Sequence, residues 1–458
     1  MSSKSNTALI QKYNIPGPRY TSYPTVPFWD AEGIDKGDWT NTVIRAFNES
    51  NTEEGISLYI HLPYCESLCT FCACHKRITT QHSVENEYID TVLQEWKLYV
   101  DVLGKKPSIR EIHLGGGTPT FFSSANLKRM IDGIFEDAVH HEVYDFSFEA
   151  HPNDTTEEQL QTLFDLGFTR TSFGIQDYDP KVQQAINRIQ KYETVERIHG
   201  LAKKIGYASI SHDIIFGLPH QTKESIIQTI ANTVKLRPDR IAYYSYAHVP
   251  WIKGVGQRGF DDNDLPKDEE KRALYELGKK LFFEAGYEEI GMDHFALPTD
   301  NMHKAMVENK LHRNFMGYTA GKTKLMIGLG MSSISDSWYA FAQNEKRVED
   351  YISRVKEGKL PIFRGHLLSE EDLVVRQHIL NLMCNLETSW ENKNMKLEKL
   401  EAILERLNEM KEDTLIEVSD NGLVVKESAR MFVRNVCMAF DVRLAEAKPE
   451  GRIFSMTI

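Results

Sequence analysis

YIHLPYCESLCTFCACHK, residues 59–76, decides how this chain is read. Cys65, Cys69 and Cys72 follow a β-rich run, ISLYIHL (56–62), and stand on one short loop at x3 and x2 spacing. Three thiolates from one loop suit a [4Fe-4S] cubane with one iron left without a cysteine, where a ligand can bind and react. A single zinc ion is the alternative, with Cys74 or His75 as a nominal fourth ligand. Zinc loops usually pair two knuckles roughly a dozen residues apart, and this loop does not. Four of the six cysteines crowd between Cys65 and Cys74, while Cys384 and Cys437 lie far away. A reducing compartment and an inorganic ligand explain that distribution better than disulfides, because such close neighbours make strained bridges.

Outward from the loop, β-rich runs alternate with helical ones. The runs are residues 56–62, 109–115, 144–150, 170–176, 209–216 and 240–248; helix-like segments lie near 83–103, 123–137, 155–166, 192–205 and 222–236. Ser123, Thr155 and Thr222 stand as N-caps; Glu158 completes a capping box with Thr155, whereas Ser225 after Thr222 does not. Six β-then-α units with near-continuous apolar strands predict an α/β fold, a parallel sheet with helices outside. The repeat count makes it a partial (β/α)6 barrel, with a doubly wound open sheet as the alternative.

Residues 1–36, with Pro16, Gly17, Pro18, Pro24 and Pro27, read as an extended N-terminal arm closing over a site. Residues 37–364 read as the catalytic barrel and its extension. Residues 365–458 read as a small, mostly helical C-terminal domain: Leu397, Leu400, Ile403, Leu404, Leu407 and Met410 recur at helical spacing, and a hairpin turns at Asp420, Asn421 and Gly422 before a last helix near 427–440.

The formal charge of −12 and the absence of a dense Lys/Arg run argue against a nucleic-acid partner. No apolar stretch approaches a membrane span and the first residues lack a signal-peptide core, so the expected location is cytoplasmic.

Gly115-Gly116-Gly117-Thr118 follows the second run, where glycine lets backbone approach a ligand. Glu149, Gln176 and Asp213 stand at the ends of successive strands, where β/α barrels build their sites; each taken alone could simply cap a strand or helix. His61 is either a reach toward a cofactor or a satisfied histidine at a strand end. His140-His141 reads as a solvated helix terminus, and Cys384 and Cys437 as small core side chains.

Residues 59–76 resemble the signature of radical S-adenosylmethionine enzymes. The resemblance implies a [4Fe-4S] cluster on Cys65, Cys69 and Cys72, whose open iron is chelated by S-adenosylmethionine, and a 5′-deoxyadenosyl radical released on reduction. Cys74 resembles a further cysteine that does not ligate. Phe71 matches an aromatic against the adenine, and it serves equally as a packing residue. Gly116, Gly117 and Thr118 match the segment binding the methionine amine, Glu149 the ribose-contacting acid, and Tyr59 and Ile334 further contacts to the same molecule. Gln176, Arg188, Asp213 and Ala247 match positions around a second S-adenosylmethionine. The implied catalytic set is Tyr59, Glu149, Gln176, Arg188 and Asp213.

GPRYTSYPT (17–25), Cys74, NRIQ (187–190), DIIFGLPHQT (213–222), IGMDHFALP (290–298), LHRNFMGYT (311–319) and NVCMAFD (435–441) resemble one branch, the oxygen-independent coproporphyrinogen III oxidases. That resemblance implies conversion of two propionates of coproporphyrinogen III, on rings A and B, to the vinyl groups of protoporphyrinogen IX. It also implies two S-adenosylmethionines, a low-potential electron donor, an unidentified electron acceptor and a monomer. A tetracarboxylate macrocycle needs arginine forks and apolar walls; Arg19, Arg188 and Arg313 are candidates for the first, Tyr20, Tyr23, Phe295 and Phe315 for the second. A haem-binding chaperone of the same superfamily is the main rival, and it typically lacks the arm and the extra cysteine. A nucleic-acid modification enzyme is disfavoured by the acidic balance.

Overall fold

The apolar runs become strands whose apolar side chains are buried in one core. In the computed structural model, which describes residues 6–30, 33–249, 256–447 and 453–457, six parallel strands follow in chain order. They are β1 (Ile56–Leu62), β2 (Ser108–Gly116), β3 (Val139–Ala150), β4 (Phe168–Gln176), β5 (Ser209–Phe216) and β6 (Arg240–Ser245). Strict order without a switch point is the arrangement of a barrel wall and not of a doubly wound sheet, so the expected α/β class and its six units stand. The wall does not close among the described residues.

Six further strands, which the sequence reading did not anticipate, extend both edges. β7 (Glu288–Gly291) and β8 (His294–Ala296) pack antiparallel beyond β6. On the other side β9 (Met326–Leu329) runs parallel to β1, and β10 (Ile334–Asp336), β11 (Ala340–Asn344) and β12 (Ile362–Leu367) meander outward. The twelve strands form one sheet with β12 and β7 at its edges. β12 crosses the expected 364/365 boundary, so the sheet ends at Leu367.

The helices close as their caps dictate, with two corrections. Ser123 accepts from the Asn126 amide as expected. The next cap is Thr156 and not Thr155, boxed with Gln159 instead of Glu158. Thr222 and Ser225 do form a reciprocal box, because a serine hydroxyl accepts the Thr222 amide as a carboxylate would. His140 and His141 lie on β3 and not at a helix end.

The arm is helical at its start. Asn6–Tyr13 contains neither proline nor glycine, and the breakers at 16–27 do not reach it; Leu9 and Tyr13 bury against the C-terminal helices. Tyr20 and Tyr23 join the same core at 2% exposure each, and Tyr20 donates to Asp441 at 3.1 Å. They are therefore not substrate walls, and neither is Phe295, a fully buried residue of β8. Arg434 ties the arm down by donating to the carbonyls of Gly17, Pro18, Met456 and Thr457. The C-terminal region is mostly helical, with helices Glu370–Asn385, Leu400–Glu412 and Val433–Phe440 around a three-stranded sheet that includes the expected hairpin. Cys384 and Cys437 are buried there as expected. Residues 1–5 and 31–32 of the expected arm, and 448–452 and 458 of the expected C-terminal domain, lie outside the described residues.

Candidate active site

β1 delivers the cysteine loop and β2 delivers the glycine turn beside it. The turn continues the strand pairing: the Gly117 amide donates to Leu62 O at 2.9 Å and the Thr118 amide to Tyr64 O at 3.0 Å. Glycine is required there for closeness. A Cβ on Gly117 would lie 2.5 Å from Pro63 O, and Gly116, at φ +112°, leaves 2.8 Å between such a Cβ and the His61 ring.

Behind the turn, His61 is a satisfied histidine. Its Nε2 donates to the His75 carbonyl at 2.8 Å, which ties the exit of the cysteine loop to its entrance. Because a carbonyl only accepts, the proton sits on Nε2, and the Tyr59 hydroxyl donates to Nδ1 at 3.1 Å. Burial holds this imidazole down to about 4, so it stays neutral.

A cavity of ≈ 270 Å³ opens where the loop, the turn and the strand ends meet. The sequence-chosen Cys65, Cys69, Cys72, Phe71, Gly116, Gly117, Thr118, Glu149, Gln176, Arg188 and Asp213 all line it. Tyr59 does not; it lies one layer below, stacked on His113 with ring centroids 6.0 Å apart. Ala247 is on the β6 exit, its carbonyl accepting from Gln257 at 2.8 Å, and Ile334 packs beside Trp29 and Phe341. Neither is among the residues that line this cavity. Ser172, His151, Asp154, Lys76 and Tyr244 also line it and were missed. Ser172 and Tyr244 share the alternation of Glu149 and Asp213 along their strands, a signal that period-2 counting from the rim would have caught.

The rim splits two carboxylates. Burial and the negative charge of Glu149 push Asp213 up to about 7, against the Ser172 hydroxyl that donates to it at 2.9 Å. Burial raises Glu149 too, but His113, 3.5 Å away, and the Gly116 amide outweigh it and hold the group below the ordinary carboxylate range. One wall thus keeps a carboxylate ionised while its neighbour readily takes a proton.

The donor set fits an iron–sulfur cluster. Cys65, Cys69 and Cys72 line one cavity, Cys74 lines it too, and none is in a disulfide. Arg188 Nη1 approaches Cys69 Sγ at 3.5 Å, and the Cys74 amide donates to Cys72 Sγ at 3.4 Å. The Cys74 thiol and the Lys76 ammonium draw the Cys72 thiol down, whereas burial pushes Cys65 up to about 11. Among the described residues no three His, Cys, Asp or Glu side chains converge as one metal ion would require. Arg188 Nε is buried without a protein partner, leaving a donor beside the cavity.

The chain is similar to known proteins over nearly its whole length. Residues 59–232 match the radical SAM superfamily. The chain is 37% identical over 443 residues to the oxygen-independent coproporphyrinogen III oxidase of Helicobacter pylori strain J99, covering 95% of this chain and 96% of the relative. It is 35% identical to the Escherichia coli K12 protein of the same name, covering 98% of each. The solved coproporphyrinogen III oxidase HemN of Escherichia coli, described as a radical SAM enzyme, superposes with a TM-score of 0.89 at 32% identity, over 96% of this chain and 100% of that one. This protein belongs to the family of oxygen-independent coproporphyrinogen III oxidases, radical S-adenosylmethionine enzymes with a [4Fe-4S] cluster.

Proposed function

We propose that the protein decarboxylates two propionate side chains of coproporphyrinogen III to vinyl groups without oxygen, giving protoporphyrinogen IX. The observation that carries the reading is the convergence of Cys65, Cys69 and Cys72 with the Gly116–Gly117 turn on one cavity, in a chain similar to such oxidases over nearly its whole length. When bound, the cluster and S-adenosylmethionine supply a one-electron cleavage whose carbon radical removes a hydrogen from the propionate.

This chain's residues bind and orient. Cys65, Cys69 and Cys72 hold the cluster. Glu149, kept ionised beside His113, accepts from hydroxyl or ammonium groups of the cofactor, with Gly116, Gly117 and Thr118 presenting backbone next to it. Gln176, Arg188 and Asp213 follow on the next strands of the same wall, and we assign them to a second S-adenosylmethionine. Tyr59, which also fixes His61 and His113, and Ile334 are assigned to further contacts with the first S-adenosylmethionine, and Ala247 to the second. The arm, whose Arg19 pairs with Asp293 next to Tyr244 and His294, closes the β6 side against water.

A low-potential donor supplies the electron and a separate acceptor removes one. We infer a cytoplasmic monomer without nucleic-acid partners; among the described residues no helix is long and apolar enough to cross a membrane. The test is an anaerobic assay of reconstituted protein with dithionite, S-adenosylmethionine and coproporphyrinogen III. Vinyl product and two carbon dioxides per porphyrinogen are expected. Deoxyadenosine without vinyl product would overturn the reading in favour of the haem-binding chaperone or another substrate.

A further inference from the structure

The substrate of the proposed reaction has four carboxylates, yet the arginines that the sequence offers for them are engaged. Arg19 pairs with Asp293, Arg313 donates to the carbonyls of Arg19 and Tyr20, and Arg188 donates to Gly174 O at 2.6 Å and to Cys69 Sγ. Of these only Arg19 meets a carboxylate among the described residues, and three other cations at the cluster end of the sheet meet none either.

Lys76 lines the cavity, donates to the Cys72 and Cys74 carbonyls at 3.1 and 3.3 Å, and lies beside the Cys72 thiol. Lys346 lies over the Phe363 ring at 5.2 Å. Arg364 donates to Gln343 at 2.8 Å and covers Trp29, whose ring is in turn stacked on Phe341. Among the described residues none of the three meets a carboxylate, although Arg77 and Arg347 beside them are paired with Glu349.

Topology puts the three together. β9 is parallel to β1 and two antiparallel steps follow, so β11 also runs parallel to β1. Lys346, two residues past β11, and Arg364, the third residue of β12, therefore stand at the sheet end that carries the cysteine loop. The Arg77–Glu349 pair at 3.0 Å joins the exit of that loop to the helix beginning at Val348. His75, on the loop, feels all three charges: burial first, then Lys346, Arg364 and Lys76, hold its imidazole below the ordinary value. In a chain of net charge −12 this is a local pool of positive potential continuous with the cavity.

We propose that Lys76, Lys346 and Arg364 form the anion subsite that receives propionate carboxylates of the porphyrinogen while another propionate reacts. The inference rests on the proposed function. Lys76 lines the cavity that holds the cysteine loop, so a small tetracarboxylate bound there is a better occupant than an acidic protein partner.

The test uses anaerobic holoenzyme with Lys346→Gln, Arg364→Gln and the double variant, and with Arg364→Lys as the charge-keeping reference; melting temperature and iron content establish that each is folded and loaded. Two readouts are taken: KM for coproporphyrinogen III, and the fluorescence-measured Kd of coproporphyrin III and of its tetramethyl ester. Each removed charge is expected to raise KM and the tetra-acid Kd about tenfold, the size of one charge-assisted contact, with Arg364→Lys recovering most of the loss and ester binding unmoved. Tetra-acid binding by the double variant equal to wild type overturns the subsite, as does an equal loss for the ester. A wild-type enzyme that binds the tetra-acid through these residues yet releases no carbon dioxide would overturn the proposed reaction and leave the subsite standing.

Discussion

Arg188 Nη1 lies 3.5 Å from Cys69 Sγ while its Nη2 holds the Gly174 carbonyl at 2.6 Å, so one guanidinium joins the middle cluster ligand to strand β4. The segment around it adds three contacts to the cysteine loop: Asn187 Nδ2 to Leu68 O, the Thr70 amide to Ile186 O and the Thr70 hydroxyl to Ala185 O, all within 3.0 Å. Arg188→Ala should raise KM for S-adenosylmethionine about tenfold or more, as expected for one lost charge-assisted donor, while iron content holds. Initial rates at varied S-adenosylmethionine, with iron analysis of the same samples, measure both.

That segment is itself held by Asp177. Its carboxylate, fully buried, accepts from the Asp179 amide, the Thr229 hydroxyl and Gln221 Nε2, and Gln183 Nε2 bridges the Asp177 and Gln190 carbonyls. Asp177→Ala leaves those donors unpaired and should cost about 3 kcal/mol of stability. It should also loosen residues 177–190, seen as faster amide exchange across Leu68–Thr70 in the metal-free protein. Unchanged exchange there would mean that the clamp does not reach the cysteine loop.

Gly117→Ala should displace the loop, because the new methyl falls 2.5 Å from Pro63 O and backbone cannot yield cheaply. The expected result is a soluble protein that retains little iron after reconstitution, read from its absorbance near the visible cluster band. Gly104→Ala, where nothing lies within 4 Å but φ is +68°, should cost only about 1 kcal/mol and keep the cluster.

Replacing Cys65, Cys69 and Cys72 together by alanine should abolish the iron–sulfur EPR signal of the reduced protein, whereas Cys74→Ala should keep it. Survival of the signal in the triple variant would remove the basis of the proposed chemistry.

His199 and His212 share one hydrogen bond, Nδ1 to Nε2 at 3.0 Å, and each has its other nitrogen buried and unpaired. Burial lowers both, His199 to about 4. The unfolded chain binds protons below about 6.5 that the folded pair refuses, so stability is intact above pH 6.5 and is lost as pH falls toward 4. The loss should reach about 3 kcal/mol for His199 alone. Urea melts of the metal-free protein from pH 7 to pH 4 should show this slope, and the His199→Leu/His212→Leu variant should flatten it.

Local pattern reached far into this molecule. Apolar runs marked the six wall strands because each has buried residues in the core, and the x3, x2 cysteine spacing on a post-strand loop marked three of the four thiols that line the cavity. Glu149, Gln176 and Asp213 were legible because strand ends in a parallel wall all point to one rim. Where the reading slipped, a neighbour in sequence had been taken for a neighbour in space. Asn6–Tyr13 was drawn into the proline-rich arm.

The sequence by itself thus determined the element types and the chemistry of the cysteine loop, since both depend on spacings of a few residues. Tertiary structure alone decided which charges are free. Arg19, Tyr20 and Tyr23 are spent on Asp293, Asp441 and the C-terminal core, hundreds of residues away, while Lys346 and Arg364 reach the cluster end only because β9–β12 fold back beside β1. Whether a charge is paired depends on which surfaces the whole chain brings together, and no window of sequence contains that information.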